Sequence, residues 1–210
     1  MKEIVNLEVD TKSKEFMFHL GELFASGNRI RIMNPDEVYS NIEKEEKLGY
    51  AKSFNMMINY WAINLYSPSI ENISAKPKNV FLICPVRNAT KAEKEKLREL
   101  IKKYEEQGFN VHYPERNTNQ NPFVGRVNTG GYNICLDNAR AIANAQTVVM
   151  FYNKESTGSM FELGVTYQLM KQDPTRKFVL ANSFEFDETN VIDQKINQML
   201  NMNKDGEMVK

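Results

Sequence analysis

From residue 80 onward, short apolar runs alternate with amphipathic stretches, and that alternation leaves few architectures open. Val80-Phe-Leu-Ile-Cys84 reads as a buried strand. Thr90 to Gln107 then places Leu97, Leu100, Ile101 and Tyr104 at helical spacing among lysines and glutamates, with Gly108 as a stop. Phe109-Asn-Val-His-Tyr113 reads as a second strand, and residues 131–145 as a helix with Ile134, Cys135, Ala139 and Ile142 inward. Residues 147–152 form a third apolar run, Lys177-Phe-Val-Leu-Ala181 a fourth, and Asn190 to Leu200 a closing helix. Strands separated by helices require parallel crossovers, which predicts a doubly wound α/β sheet with helices on both faces.

The preceding part of the chain differs. Ser74-Ala-Lys-Pro-Lys-Asn79 is a polar, Pro-containing stretch that reads as a linker. Before it, residues 36–45 are charged and helical in pattern, residues 50–66 form a strongly apolar helix around Trp61, and residues 28–33 suit a short strand. The predicted divisions are a mainly helical N-terminal region over 1–76, an α/β domain over 77–201 and a flexible tail over 202–210. The large apolar groups of the first region need a partner surface, either the α/β domain or a second copy of the chain.

Lys plus Arg and Asp plus Glu both number 27 among the 210 residues, a net charge of zero. That balance argues against a polymeric nucleic acid or an anionic membrane as partner. No apolar run approaches the roughly 20 residues of a membrane span, and the start has no signal-like apolar core. With only Cys84 and Cys135, both inside predicted elements, the expectation is a cytoplasmic protein whose thiols are core residues rather than a disulfide. Two isolated histidines, His19 and His112, argue against a structural metal site.

Chemistry is expected around Ser156-Thr-Gly-Ser-Met-Phe-Glu-Leu-Gly164, which follows the third strand and opens into a helix. The carboxyl edge of a parallel sheet is where open α/β folds bind ligands. Two explanations of Glu162 compete. Ser159 and Glu162 have the spacing of a capping box, which needs no catalysis. Alternatively Glu162 faces a ligand, with Gly158 letting the backbone approach and Ser156 and Ser159 binding oxygens. Asp137 in the preceding helix supplies a second carboxylate, and two carboxylates at one pocket can divide nucleophile and acid roles. On its own Asp137 is a solvated helix charge. Arg87, beyond the first strand, suits an anion; Tyr113, Tyr132 and Tyr152 suit stacking on a base, or plain packing. The polar 114–129 loop is long enough to be functional or mobile.

The order of Phe81-Leu-Ile-Cys-Pro-Val-Arg87, Asp137 in a helix ending Ala141-Ile-Ala-Asn-Ala-Gln146, Val148-Val-Met-Phe-Tyr152 and Ser156-x-Gly-Ser-x-x-Glu-Leu-Gly164 resembles the nucleoside 2-deoxyribosyltransferase superfamily, which includes 2′-deoxynucleoside 5′-monophosphate N-glycosidases. The resemblance spans residues 79–182. It implies a flavodoxin-like fold and cleavage or transfer at the N-glycosidic bond of a (deoxy)nucleoside or nucleoside 5′-monophosphate. It further implies Glu162 as nucleophile on the anomeric carbon and Asp137 as partner of the leaving base. Substrate contacts fall to Cys84, Pro85, Arg87, Tyr113, Tyr132, Ser156, Gly158 and Ser159. No cofactor or metal is implied; the substrate is a small molecule and the assembly a homo-oligomer. Ser156 matches the nucleotide N-glycosidases rather than the transferases, whereas Asn88-Ala-Thr90 replaces the remainder of their phosphate loop. Two other readings stay open: an NAD-type glycohydrolase of the TIR-like kind, and a non-catalytic nucleotide sensor.

Overall fold

Ser13 and Gly27 bracket the first helix, and each does so for a local reason. Ser13 Oγ accepts from the Phe16 N–H at 3.1 Å, capping α1 (Lys14–Ser26), and Gly27 adopts the left-handed φ of +71° that ends it. Strands β1 (Ile4–Leu7) and β2 (Arg29–Ile32) flank this helix and pair in parallel, Ile4 opposite Arg29 through Leu7 opposite Ile32. The computed structural model describes residues 4–7, 13–32, 70, 72–86, 89–118, 130–183 and 185–202. The predicted helices at 36–45 and 50–66 and the tail beyond 202 therefore lie outside the described residues. Within them the N-terminal region shows a β–α–β unit. The expected strand at 28–33 is present, but the partner strand and α1 had not been anticipated.

The remaining elements alternate as expected. They are β3 (Lys76–Ile83), α2 (Lys91–Glu106), β4 (Asn110–His112), the short α3 (Pro114–Asn117), α4 (Gly130–Asn144), β5 (Ala145–Met150), α5 (Thr157–Gln172), β6 (Lys177–Leu180) and α6 (Val191–Met202). Four parallel strands lie in the order β4-β3-β5-β6, with Phe81 opposite Val148 and Val148 opposite Phe178. This is the doubly wound, flavodoxin-like arrangement. Strand β3 begins inside the stretch read as a linker, its first three residues being exposed.

Alternating side chains divide the core in two. Val80, Leu82, Cys84, Val111, Val149 and Phe151 meet Leu97 and Ile101 of α2 on one face. Phe81, Ile83, Val148, Met150, Phe178 and Leu180 meet α4, α5 and α6 on the other. Helix α5 is covered on both sides, by the sheet and by α1. A Cβ built on Gly164 would lie 1.9 Å from the Phe18 carbonyl oxygen, and one on Gly21 2.1 Å from that of Phe161. Only glycine permits the two backbones to cross so closely. Phe24 packs edge-on against Phe161 and Phe18 tilts against Tyr167 beside this crossing.

The end of α4 is secured by Arg176, 6% exposed. Its guanidinium donates to the carbonyls of Ile142 (3.1 Å), Ala143 (2.7 Å) and Ala145 (2.8 Å), and faces the Asp173 carboxylate at 3.5 Å. This fixes the rotation of α4 relative to the sheet. Among the described residues no helix is long and apolar enough to cross a membrane.

Candidate active site

The strand order reverses between β3 and β5, so their carboxyl ends form the crevice of this sheet. Glu162 stands there in the second turn of α5. The helix begins at Thr157 with Ser156 as N-cap, and Ser156 Oγ meets Ser159 Oγ at 2.8 Å instead of capping a backbone N–H. The Ser159–Glu162 capping box is therefore absent: Ser159 already lies inside the helix. Gly158 sits in the first turn, half-buried, rather than in a preceding loop.

Glu162 is 7% exposed. Its Oε1 accepts from Asn138 Nδ2 at 2.7 Å, and among the described residues Asn138 is the only hydrogen-bond partner of the carboxyl. Burial pushes its pKa from 4.5 up to about 8, against a smaller lowering by the Asn138 bond. The buried thiols of Cys84 and Cys135 are pushed well above the usual range, first by burial and then by the charge of Glu162. The carboxyl thus lies between the end of β3 and the inner face of α4. Both cysteines are free and packed in the core.

Asp137 does not join this group. It is exposed, and α4 presents its neighbour Asn138, 5% exposed, to Glu162. The expected pair of carboxylates is replaced by a carboxyl and an amide, which orients but does not titrate. The helical phase carried the signal: Cys135, Ala139 and Ile142 inward put residue 138 on the same face and residue 137 off it.

Asn138 is itself held. Thr118 Oγ1 donates to Asn138 Oδ1 at 2.7 Å, and His112 Nε2 lies 2.9 Å from Thr118 Oγ1. His112 stacks on Phe81 at 5.2 Å. Its pKa is lowered from 6.5 to about 4, by burial first and by the Arg116 charge second. Residues from β4, the segment after α3, α4 and α5 form one polar line. Sequence reasoning passed over Thr118 and Asn138, and considered His112 only as an isolated histidine.

Of the other expected contacts, Cys84 and Pro85 are buried at the end of β3, whereas Arg87 lies outside the described residues. Nothing is described of the Tyr132 side chain. Tyr113 is 8% exposed and packs in the α2-side core, with its hydroxyl bonded to Glu115. Tyr152 packs against the opposite core, and its backbone N–H and carbonyl are both bound by the Asn182 amide at 2.6 and 3.0 Å. Its hydroxyl reaches Asp193 at 3.3 Å. Asn153 links the loop after β5 to α2 through Glu93. No protein-family model, no curated protein and no solved structure matches this chain.

Proposed function

We propose that the protein cleaves or exchanges the N-glycosidic bond of a (deoxy)nucleoside or nucleoside 5′-monophosphate, with Glu162 as nucleophile. One observation carries this reading: a nearly buried carboxyl at the switch point of the sheet, bonded to a neutral amide and to no cation among the described residues. A salt-bridged carboxylate would have its charge neutralised and its oxygens occupied. A single neutral donor orients the group and leaves the second oxygen available.

In the first step a Glu162 oxygen bonds to the anomeric carbon as the C–N bond breaks, and the base departs with the bonding pair and takes up a proton. Water, or a second base, then attacks the same carbon and restores the carboxylate. Water delivers its hydroxyl to the sugar and releases a proton. Burial suits such chemistry because a poorly solvated carboxylate responds strongly to the positive charge developing on the sugar. The nucleophile must be ionised, so turnover rises with pH through about 8, where Glu162 is half-ionised, and levels off above it.

The test is a panel of deoxynucleosides, their 5′-monophosphates and NAD at pH 8, with free base measured by chromatography. Base released from a nucleoside or monophosphate, and reduced at least about 1,000-fold in Glu162→Gln, is the expected outcome. Release of nicotinamide alone would move the reading to an NAD glycohydrolase. Binding without turnover, unchanged in Glu162→Gln, would overturn it.

A further inference from the structure

The line from His112 to Glu162 has a direction, and donor accounting reveals it. Asn138 Oδ1 only accepts, so the 2.7 Å contact with Thr118 uses the single hydroxyl hydrogen of Thr118. Thr118 Oγ1 must then accept from His112, which assigns the imidazole hydrogen to Nε2. At the other end the amide turns Nδ2 toward Oε1 of Glu162. Every hydrogen points toward the carboxyl. While Glu162 is ionised, a rotated amide would set Oδ1 against a carboxylate oxygen at 2.7 Å, which is repulsive. The Thr118 hydroxyl, restrained by His112 and by the stacking of that ring on Phe81, selects the attractive orientation.

We propose that His112, Thr118 and Asn138 form a one-way orienting chain that anchors Oε1 of Glu162 and leaves Oε2 to a ligand, with Thr118 and Asn138 as positioning residues. The chain does not conduct protons, because passage across Asn138 would require the amide to become an imidic acid. Its task is geometric. The use made of Oε2 rests on the reading of Glu162 as nucleophile, whereas the chain itself does not depend on that reading.

The experiment follows the Glu162 side-chain carbon by 13C NMR and the His112 ring nitrogens by 15N NMR, across pH, in the unmodified protein, Thr118→Val and Thr118→Ser. Among the described residues, the thiols of Cys84 and Cys135 feel the charge of Glu162 and His112 stands at the far end of the chain; burial keeps both thiols neutral and lowers His112 to about 4, so a midpoint near 8 belongs to Glu162. Thr118→Val frees the amide to rotate, and the proton affinity of Glu162 is expected to rise about tenfold, one unit in midpoint. Thr118→Ser retains the hydroxyl and keeps the original midpoint. In turnover, Thr118→Val lowers kcat about tenfold with KM within about twofold. An unchanged midpoint in folded Thr118→Val overturns the proposal. So does a His112 hydrogen found on Nδ1 while Glu162 is ionised, a measurement that decides alone if the valine variant does not fold. A protein that shows the midpoint shift yet releases base from no substrate retains the chain and loses the glycosidase reading.

Discussion

Helices α2 and α5 are both 16 residues long, yet they place a glutamate in opposite physical worlds. Helix α2 buries only Leu97 and Ile101 and carries a complete capping box, Thr90 N–H to Glu93 Oε2 at 2.8 Å and Glu93 N–H to Thr90 Oγ1 at 3.2 Å. The Thr90 N–H and the Thr90 hydroxyl, both donating to Oε2, hold the Glu93 carboxyl below its ordinary pKa. Helix α5 is buried from Ser159 to Met170 except at Gln168, has no side-chain cap bond, and holds Glu162 far above the ordinary value. A local pattern suffices to specify α2, whereas α5 depends on what surrounds it. Depth, rather than residue type, decides which carboxylate is a solvated charge and which is chemically useful.

The contrast breaks most directly at the α1–α5 crossing. Gly164→Ala would force a methyl group into the Phe18 carbonyl and is expected to cost about 3 kcal/mol or more in urea unfolding. A loss below about 1 kcal/mol would mean that the helices do not approach so closely in solution.

A pH series sharpens the electrostatic half. Folded Glu162 holds its proton up to about 8 against an unfolded 4.5, so its contribution is complete below 4.5 and is lost as pH rises through 8. Folded His112 resists protonation to about 4 against 6.5, so its contribution is complete above 6.5 and is lost as pH falls through the window to 4. Between 4.5 and 6.5 the two slopes cancel. Above 6.5 only Glu162 of these two is still titrating, and it removes about 2 kcal/mol by pH 8. Unfolding curves of the parent and Glu162→Gln should diverge over that range, the variant holding its stability. Parallel curves would show that burial does not raise the carboxyl pKa. The smallest effect belongs to α2, where Thr90→Ala removes the cap and should cost about 1 kcal/mol without altering that pH dependence.

Much of the fold was legible in the residues. Val80 through Cys84, Leu97 and Ile101, the stop at Gly108 and the apolar run from Thr147 announce their elements because burial on one or two faces imposes a period on neighbouring residues. Helix α1 and strand β1 escaped notice, although Ser13 and Gly27 offered cap signals. The position of Glu162 at the crevice was also legible, since a strand, a short turn and a helix in succession suffice to locate it. The amide that meets it was not singled out: Asp137 drew attention as a second carboxylate, whereas helical phase turns Asn138 toward Glu162 and leaves Asp137 exposed. Arg176 gave no local sign that it would cap a helix ending more than 30 residues earlier.

By itself, then, the sequence determined the parallel α/β scaffold and the placement of a glutamate at its carboxyl edge, both products of interactions between near neighbours along the chain. Tertiary structure alone decided that this glutamate is nearly buried, that an amide rather than a carboxylate meets it, and that Thr118 and His112 stand behind the amide. The reason is physical. Desolvation and side-chain hydrogen bonds depend on which surfaces close together in space, and residues 112, 118, 138 and 162 become neighbours only once α4 and α5 have packed on the sheet.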